Sequence, residues 1–226
     1  QAEYVRIPYA DQGLSRIPDN VTDEQALFTG DLLSTGYWAA KMEIIEVGDT
    51  VAVIGAGPTG LCAMMAARLY RPGCIAAIDT DRSRLEVALK NGLADVAIDP
   101  ENEDAEQRIA GLTGGRGADR VIEAAGGANT FEMAWKIARP NAVVGIVAMY
   151  EEDQVLPLPQ MYGKNLTFRT GGVDACDCAE ILRLISEGRL DARCLITHRG
   201  ELSDIMEAYR VFENREDGVI KWAIRP

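Results

Sequence analysis

Val51-Ala52-Val53-Ile54-Gly55-Ala56-Gly57-Pro58-Thr59-Gly60 is the stretch on which the fold turns. Four apolar residues run straight into Gly-x-Gly-x-x-Gly, and Leu61, Met64, Met65 and Leu69 then fall on one helical face. A buried strand, a glycine turn and a helix in that order form the opening unit of a parallel sheet. Each glycine has its own reason. Gly55 permits the tight turn, Gly57 lets the backbone approach a pyrophosphate, and Gly60 allows close helix–strand packing. Unpaired N–H groups and the positive end of the helix dipole would then hold the anion. Pro58 suits the first helical turn, where its missing N–H costs nothing. A second apolar run, Ile75-Ala76-Ala77-Ile78, ends at Asp79, 19 residues after Gly60. An acid at that distance accepts the ribose hydroxyls of adenosine and repels a 2′-phosphate, which favours NAD over NADP. Arg82 and Arg84 pull the other way, because a guanidinium can welcome that phosphate. A methyltransferase also uses a glycine loop with a later acid. It does not require the extended motif with its close-packed helix.

Outward from this centre the same alternation continues. Val96-Ala97-Ile98, Arg120-Val121-Ile122-Glu123 and Ala142 to Ala148 read as further strands, and Phe131, Ala134, Trp135 and Ala138 share a helical face. Strands alternating with helices predict an α/β fold with a doubly wound parallel sheet covered on both faces. The rhythm changes at the ends. Before about Leu33, Ala2 to Pro8 reads as an alternating strand, followed by a Pro-containing loop and a helix start near Thr22. After Gly172, Cys178, Ile181, Leu182 and Ile185 make one helical stripe, stopped at Gly188. Leu202, Ile205, Met206, Tyr209 and Phe212 make another, and Val219 to Ile224 reads as a closing strand. The expected organisation is therefore 1–33, 34–171 and 172–226. About 55 residues make a thin core alone, so the tail is expected to pack against something else.

Composition narrows the function. Lys plus Arg is 23 and Asp plus Glu 35, a net charge of −12, which is wrong for a nucleic-acid partner. No apolar run approaches the roughly 18 residues of a membrane span. Five cysteines without a CxxC pair encode neither a disulfide framework nor a four-thiolate zinc site. A soluble cytoplasmic protein is expected. The chain opens on Gln1 with no basic, apolar leader, and its start reads as a cut edge.

With these residues in place, the chain resembles the zinc-dependent medium-chain alcohol dehydrogenases over essentially its whole length. Gly30-Asp31-Leu32-Leu33-Ser34-Thr35-Gly36-Tyr37 resembles the segment that carries a zinc ligand and enters the cofactor domain. Val47-Gly48-Asp49-Thr50-Val51, Leu195-Ile196-Thr197-His198-Arg199 and Gly218-Val219-Ile220-Lys221 extend the likeness, and Gln1-Ala2-Glu3-Tyr4-Val5 is similar to the last catalytic-domain strand before it. The resemblance implies a Rossmann domain between two remnants of a catalytic domain. The family's upstream Cys ligand, Gly-His-Glu segment and four-cysteine zinc lobe have no counterpart here.

The resemblance also assigns roles. Asp31 matches the zinc ligand, and a carboxylate oxygen is a competent zinc donor. Thr35 and Thr59 match residues at the nicotinamide ring, Asp79 the ribose acid, and Arg84 a basic residue beside that ribose. Val147 and Met149 match positions whose backbone holds the carboxamide. Gly55, Gly57, Pro58 and Gly60 complete the cofactor loop. His198, the only histidine, is expected to be structural. The implied full-length activity is hydride transfer between an alcohol or aldehyde and NAD, assisted by zinc. With a single zinc ligand the chain alone is expected to be inactive. The competing reading is a non-catalytic NAD-binding or interaction module; a zinc-free quinone reductase fits the Gly-Asp-Leu-Leu setting of Asp31 less well. Family members of this kind pair the edge strands of their sheets, so a homodimer or homotetramer is expected through about Asn165 to Thr170.

Overall fold

Thr50–Ile54 forms β1, buried along its whole length, and the rest of the sheet is assembled around it. The computed structural model describes residues 1–226 as two units, Asp31–Ala175 and Gln1–Gly30 with Cys176–Pro226. In the first of these, helix α1 (Leu32–Met42) precedes β1, and α2 (Pro58–Ala67) follows the glycine loop. Then come β2 (Cys74–Ile78), α3 (Arg82–Lys90), β3 (Val96–Ile98), α4 (Ala105–Leu112) and β4 (Ala118–Glu123). Helix α5 (Thr130–Ile137), β5 (Ala138–Ile146) and β6 (Thr167–Thr170) complete it. All five strand pairings are parallel, in the order β3-β2-β1-β4-β5-β6. The order reverses between β1 and β4, the position where open α/β sheets bind ligands beyond the carboxyl ends of their strands.

The burial of the sheet explains the apolar runs in its strands. Ala52, Ile54, Ala76, Ile78 and Val144 lie in one apolar cluster with Ile109 and Ile137 from the covering helices. Strands covered on both faces have no solvent side on which to place polar residues. Close packing against the sheet also calls for small residues. A Cβ on Gly36 of α1 would collide with the backbone at Cys62 of α2, so these two helices touch at their main chains.

The other unit holds α6 (Cys178–Ser186), β7 (Ile196–Glu201), α7 (Ile205–Glu213) and β8 (Lys221–Arg225). Strands β7 and β8 pair in parallel as a two-stranded sheet. Thr22 starts a single turn at Asp23–Ala26 with a reciprocal cap, the Gln25 N–H donating to Thr22 Oγ1 and the Thr22 N–H to Gln25 Oε1. His198 stacks on Trp222 with ring centroids 4.8 Å apart, and its Nδ1 lies 2.9 Å from Thr197 Oγ1. No helix of the chain is long and apolar enough to cross a membrane.

Three expectations need correction. Ala2 to Pro8 is not a strand: those residues are irregular, with a bend at Glu3 and a turn at Pro8, and exposed, with Tyr4 91% accessible. Alternation creates a strand only where a ladder partner is available. The boundary expected after residue 33 falls inside α1, whose hydrogen-bonded turns run unbroken from Leu32 to Met42. In α7 the buried residues are Ala208 and Val211, whereas Met206, Tyr209 and Phe212 are exposed.

Candidate cofactor site

The strand register sets the site. Ile54 pairs with Ile78 on one side and Glu123 on the other; Ile78 pairs with Ile98, Glu123 with Ile146, and Ile146 with Thr170. Five pairings therefore put the strand ends level. Gly55, Asp79, Ala124 and Val147, each the residue after its strand, line a single rim.

The glycine loop is held at the middle of that rim. Gly55 adopts φ +97°, a conformation open to glycine, and its N–H donates to the Ile78 carbonyl at 2.7 Å. A Cβ on Gly55 would press on the Ala124–Ala125 backbone at 3.0 Å. A Cβ on Gly60 would collide with the Gly55 carbonyl oxygen, so α2 packs against the loop only with glycine there. Gly57 differs. A Cβ on it would meet only Arg84 Nη1, 3.7 Å away. Gly57 is the N-cap of α2 and Pro58 its first residue, and no side chain caps the helix. Open space beside the main chain, an uncapped helix N-terminus and a guanidinium together suit a phosphate anion.

Asp79 bridges the loop to the next turn. Its Oδ2 accepts from the Ala56 N–H at 2.6 Å and its Oδ1 from the Asp81 N–H at 2.8 Å. Each carboxylate oxygen offers two acceptor directions, so each keeps one for a further donor. Asp81 caps α3 through the Ser83 N–H at 2.9 Å. Hydrogen bonding by the Ser83 hydroxyl holds the Asp81 carboxyl below its ordinary value against the cost of burial. The two arginines separate. Arg84 lies 3.4 Å from Asp81 and reaches the glycine loop, whereas Arg82 pairs with Asp99 at 3.1 Å.

Thr35 sits one turn into α1, its N–H donating to the Asp31 carbonyl at 2.7 Å, on the helix that Gly36 seats against α2. Asp31 is the exposed N-cap residue of α1, and its side chain makes no capping bond. No three His, Cys, Asp or Glu side chains of this chain converge to hold a metal ion. Asp31 is thus a single donor where a zinc site needs at least three, and the residues present do not fit zinc by themselves.

At the other end of the rim the Val147 and Ala148 N–H groups both donate to the Glu123 carbonyl, at 2.9 and 3.3 Å. Met149 is 94% exposed. The loop after β4 folds onto the carboxylate at its base: Glu123 Oε1 accepts from the Ala125 and Gly126 N–H groups at 2.9 and 2.8 Å. Gly126, at φ +69°, leaves no room for a Cβ, which would lie 2.7 Å from the Met149 carbonyl oxygen. Sequence reading passed over Glu123, Gly126, Thr130 and Tyr150. The available signal was Glu123-Ala124-Ala125-Gly126-Gly127, an acid closing an apolar strand before a second small-residue turn.

Comparison with known proteins agrees with this geometry. The family described as zinc-binding dehydrogenase matches residues 58–187. An alcohol dehydrogenase of Cupriavidus necator is 41% identical over the whole chain, and an NADP-dependent isopropanol dehydrogenase of Entamoeba histolytica 31% identical over 99% of it. The chain spans 63% of the length of each of these curated relatives. Among solved structures, alcohol dehydrogenase TADH from Thermus sp. ATN1 superposes with a TM-score of 0.92 at 34% identity. That match covers 99% of this chain and 65% of the other. With the glycine loop, the level rim and the parallel sheet all in place, the chain belongs to the zinc-dependent medium-chain alcohol dehydrogenase family.

Proposed function

We propose that this chain binds NAD in preference to NADP and forms the cofactor-binding portion of an alcohol dehydrogenase acting on a small alcohol or aldehyde. The observation that carries this reading is Asp79, whose carboxylate sits against the glycine loop 2.6 Å from the Ala56 nitrogen. In this reading the N–H groups at the start of α2 and Arg84 take the pyrophosphate. The remaining acceptor positions of Asp79 take the ribose hydroxyls, and its charge opposes a 2′-phosphate. Thr35 and Thr59 lie on the nicotinamide side, with the backbone at Val147 and Met149 as carboxamide partners. When bound, the nicotinamide supplies the hydride acceptor; these residues position it. Asp31 contributes one zinc donor, and the 226-residue chain by itself is without turnover. An odd count of five cysteines without a CxxC pair supports a reducing, cytoplasmic setting.

A second reading has a specific support. Arg84 lies beside the loop, and one of the relatives is named as NADP-dependent. Calorimetric titration of the chain with NADH and NADPH separates the two. NADH is expected to bind more tightly by about tenfold or more, equivalent to about 1.4 kcal/mol. Asp79→Ser should narrow that gap. Tighter binding of NADPH by the unaltered chain would give the site to Arg84.

A further inference from the structure

Two loops flank the rim beyond β4 and β5. A dinucleotide lies across the switch point of a doubly wound sheet with one mononucleotide on each half, so Asp79 and these loops face opposite ends of it. The loops are tied together away from the strands. Thr130 Oγ1 lies within hydrogen-bond distance of the Gly127 carbonyl, at 2.9 Å. Thr130 Oγ1 also lies 3.1 Å from the Tyr150 hydroxyl, a hydrogen bond that either oxygen can donate. One hydroxyl thus links the end of the 147–150 segment to the turn at 127–130. Between these points Gly126 packs on the Met149 carbonyl with no room for a side chain. At the base, Glu123 folds residues 125 and 126 over its own carboxylate.

The Tyr150 ring is held independently of its hydroxyl. It packs on the cluster of Phe131, Trp135 and Met161. Burial pushes the phenol above its ordinary value against the pull of the Thr130 hydrogen bond, and the charge and hydrogen bonding of Glu123 add to the rise, so the hydroxyl keeps its proton. Packing fixes the ring, while the Thr130 bond fixes the loop spacing.

We propose that Tyr150 and Thr130 are positioning residues for the nicotinamide half, their shared hydrogen bond holding the loops after β4 and β5 at the separation the ring needs. This inference rests on the dinucleotide reading above. It goes beyond that reading by assigning a role to two residues outside the glycine loop and its acid.

The test uses the whole chain and two probes, NADH for both halves and ADP for the adenosine half alone. Tyr150→Phe keeps the ring and deletes the bond; Thr130→Val deletes it from the other side. Each is expected to weaken NADH binding about fivefold to tenfold, the worth of one buried hydrogen bond, and to leave ADP affinity unchanged. The emission of bound NADH should shift toward that of the free cofactor as the ring loosens. Thr130→Ser, which retains the hydroxyl, should restore wild-type affinity and emission. Equal losses for NADH and ADP would mean a general structural role, and NADH affinity unchanged in both variants would mean no role; either overturns the inference. An unaltered chain that binds neither probe overturns the dinucleotide reading, and this inference with it. Binding of ADP with normal NADH affinity in the variants leaves the dinucleotide reading standing and removes this one alone.

Discussion

Glu43, just past the end of α1, is fully buried, and neither of its carboxylate oxygens meets a side-chain hydrogen-bond partner. It lies against Gly145 of β5, where any Cβ would collide with Oε1. Burial pushes its pKa up to about 8 against the pull of Arg120 and Arg169. The folded chain therefore keeps this proton to about pH 8, while the unfolded chain releases it near the ordinary 4.5. A raised carboxyl pKa means that the folded state binds more protons through that window, so stability falls as pH climbs from about 4.5 to 8. Glu43→Gln, which mimics the protonated form, should flatten this slope. Above pH 8 it should stabilise the chain by on the order of a few kcal/mol. Urea midpoints at pH 6 and pH 9 test it, and an unchanged difference between them in the variant refutes it. Nothing in Lys41-Met42-Glu43-Ile44 marks that acid as buried. Gly55, Gly57 and Gly60, by contrast, announce themselves, because their spacing is a local backbone requirement.

Among the elements, β6 is an outer strand of the six-stranded sheet, paired only with β5. An unpaired strand edge is a template for a second copy unless something covers it. A closed two-fold pairing of β6 strands would use up both edges, and we propose that the chain dimerises there. Phe168 is not free to report on this. Its ring lies 5.7 Å from that of Phe131, so a charge at that position would disturb the fold itself. Thr167 and Thr170 are exposed. Lysine at both positions would bring like charges together across the two-fold axis. Sedimentation should find the unaltered chain dimeric at micromolar concentration and the double variant monomeric, with unchanged circular dichroism. A monomeric unaltered chain ends the proposal. The segment before β6 also shows how a strand can be positioned from a distance. Lys164 Nζ donates to the carbonyls of Trp135, Lys136 and Ala138, satisfying groups that the end of α5 leaves open. The sequence offers a lysine 28 residues away from Lys136 and no hint that the two meet.

For the whole molecule, the two units differ in what holds them. One has a six-stranded sheet in which β1 and β4 are buried along their whole length; the other has a parallel pair, β7 and β8, whose residues are mostly part-exposed. Two strands alone are marginal in water. Amide hydrogen exchange should therefore show β1 and β4 as the slowest segments and β7 and β8 as faster by at least about tenfold, a difference of about 1.4 kcal/mol in opening. Equal protection in the two sheets would count against this ranking. The six-stranded sheet was legible because its determinants are local: an apolar strand, a glycine turn and an amphipathic helix each declare themselves within about ten residues. The candidate rim was half legible for the same reason, with Gly55, Gly57, Gly60 and Asp79 visible by spacing. Long-range partners were not. Asp49 pairs with Arg120 at 2.9 Å across 71 residues of chain, and Arg120 reads in sequence as an odd charge inside an apolar run. The same holds for which arginine faces the loop, for the burial of Glu43, and for the bond between Tyr150 and Thr130. Local backbone geometry and periodicity were set by the sequence alone; which polar groups meet was decided by strand order and register, which bring distant residues to one rim.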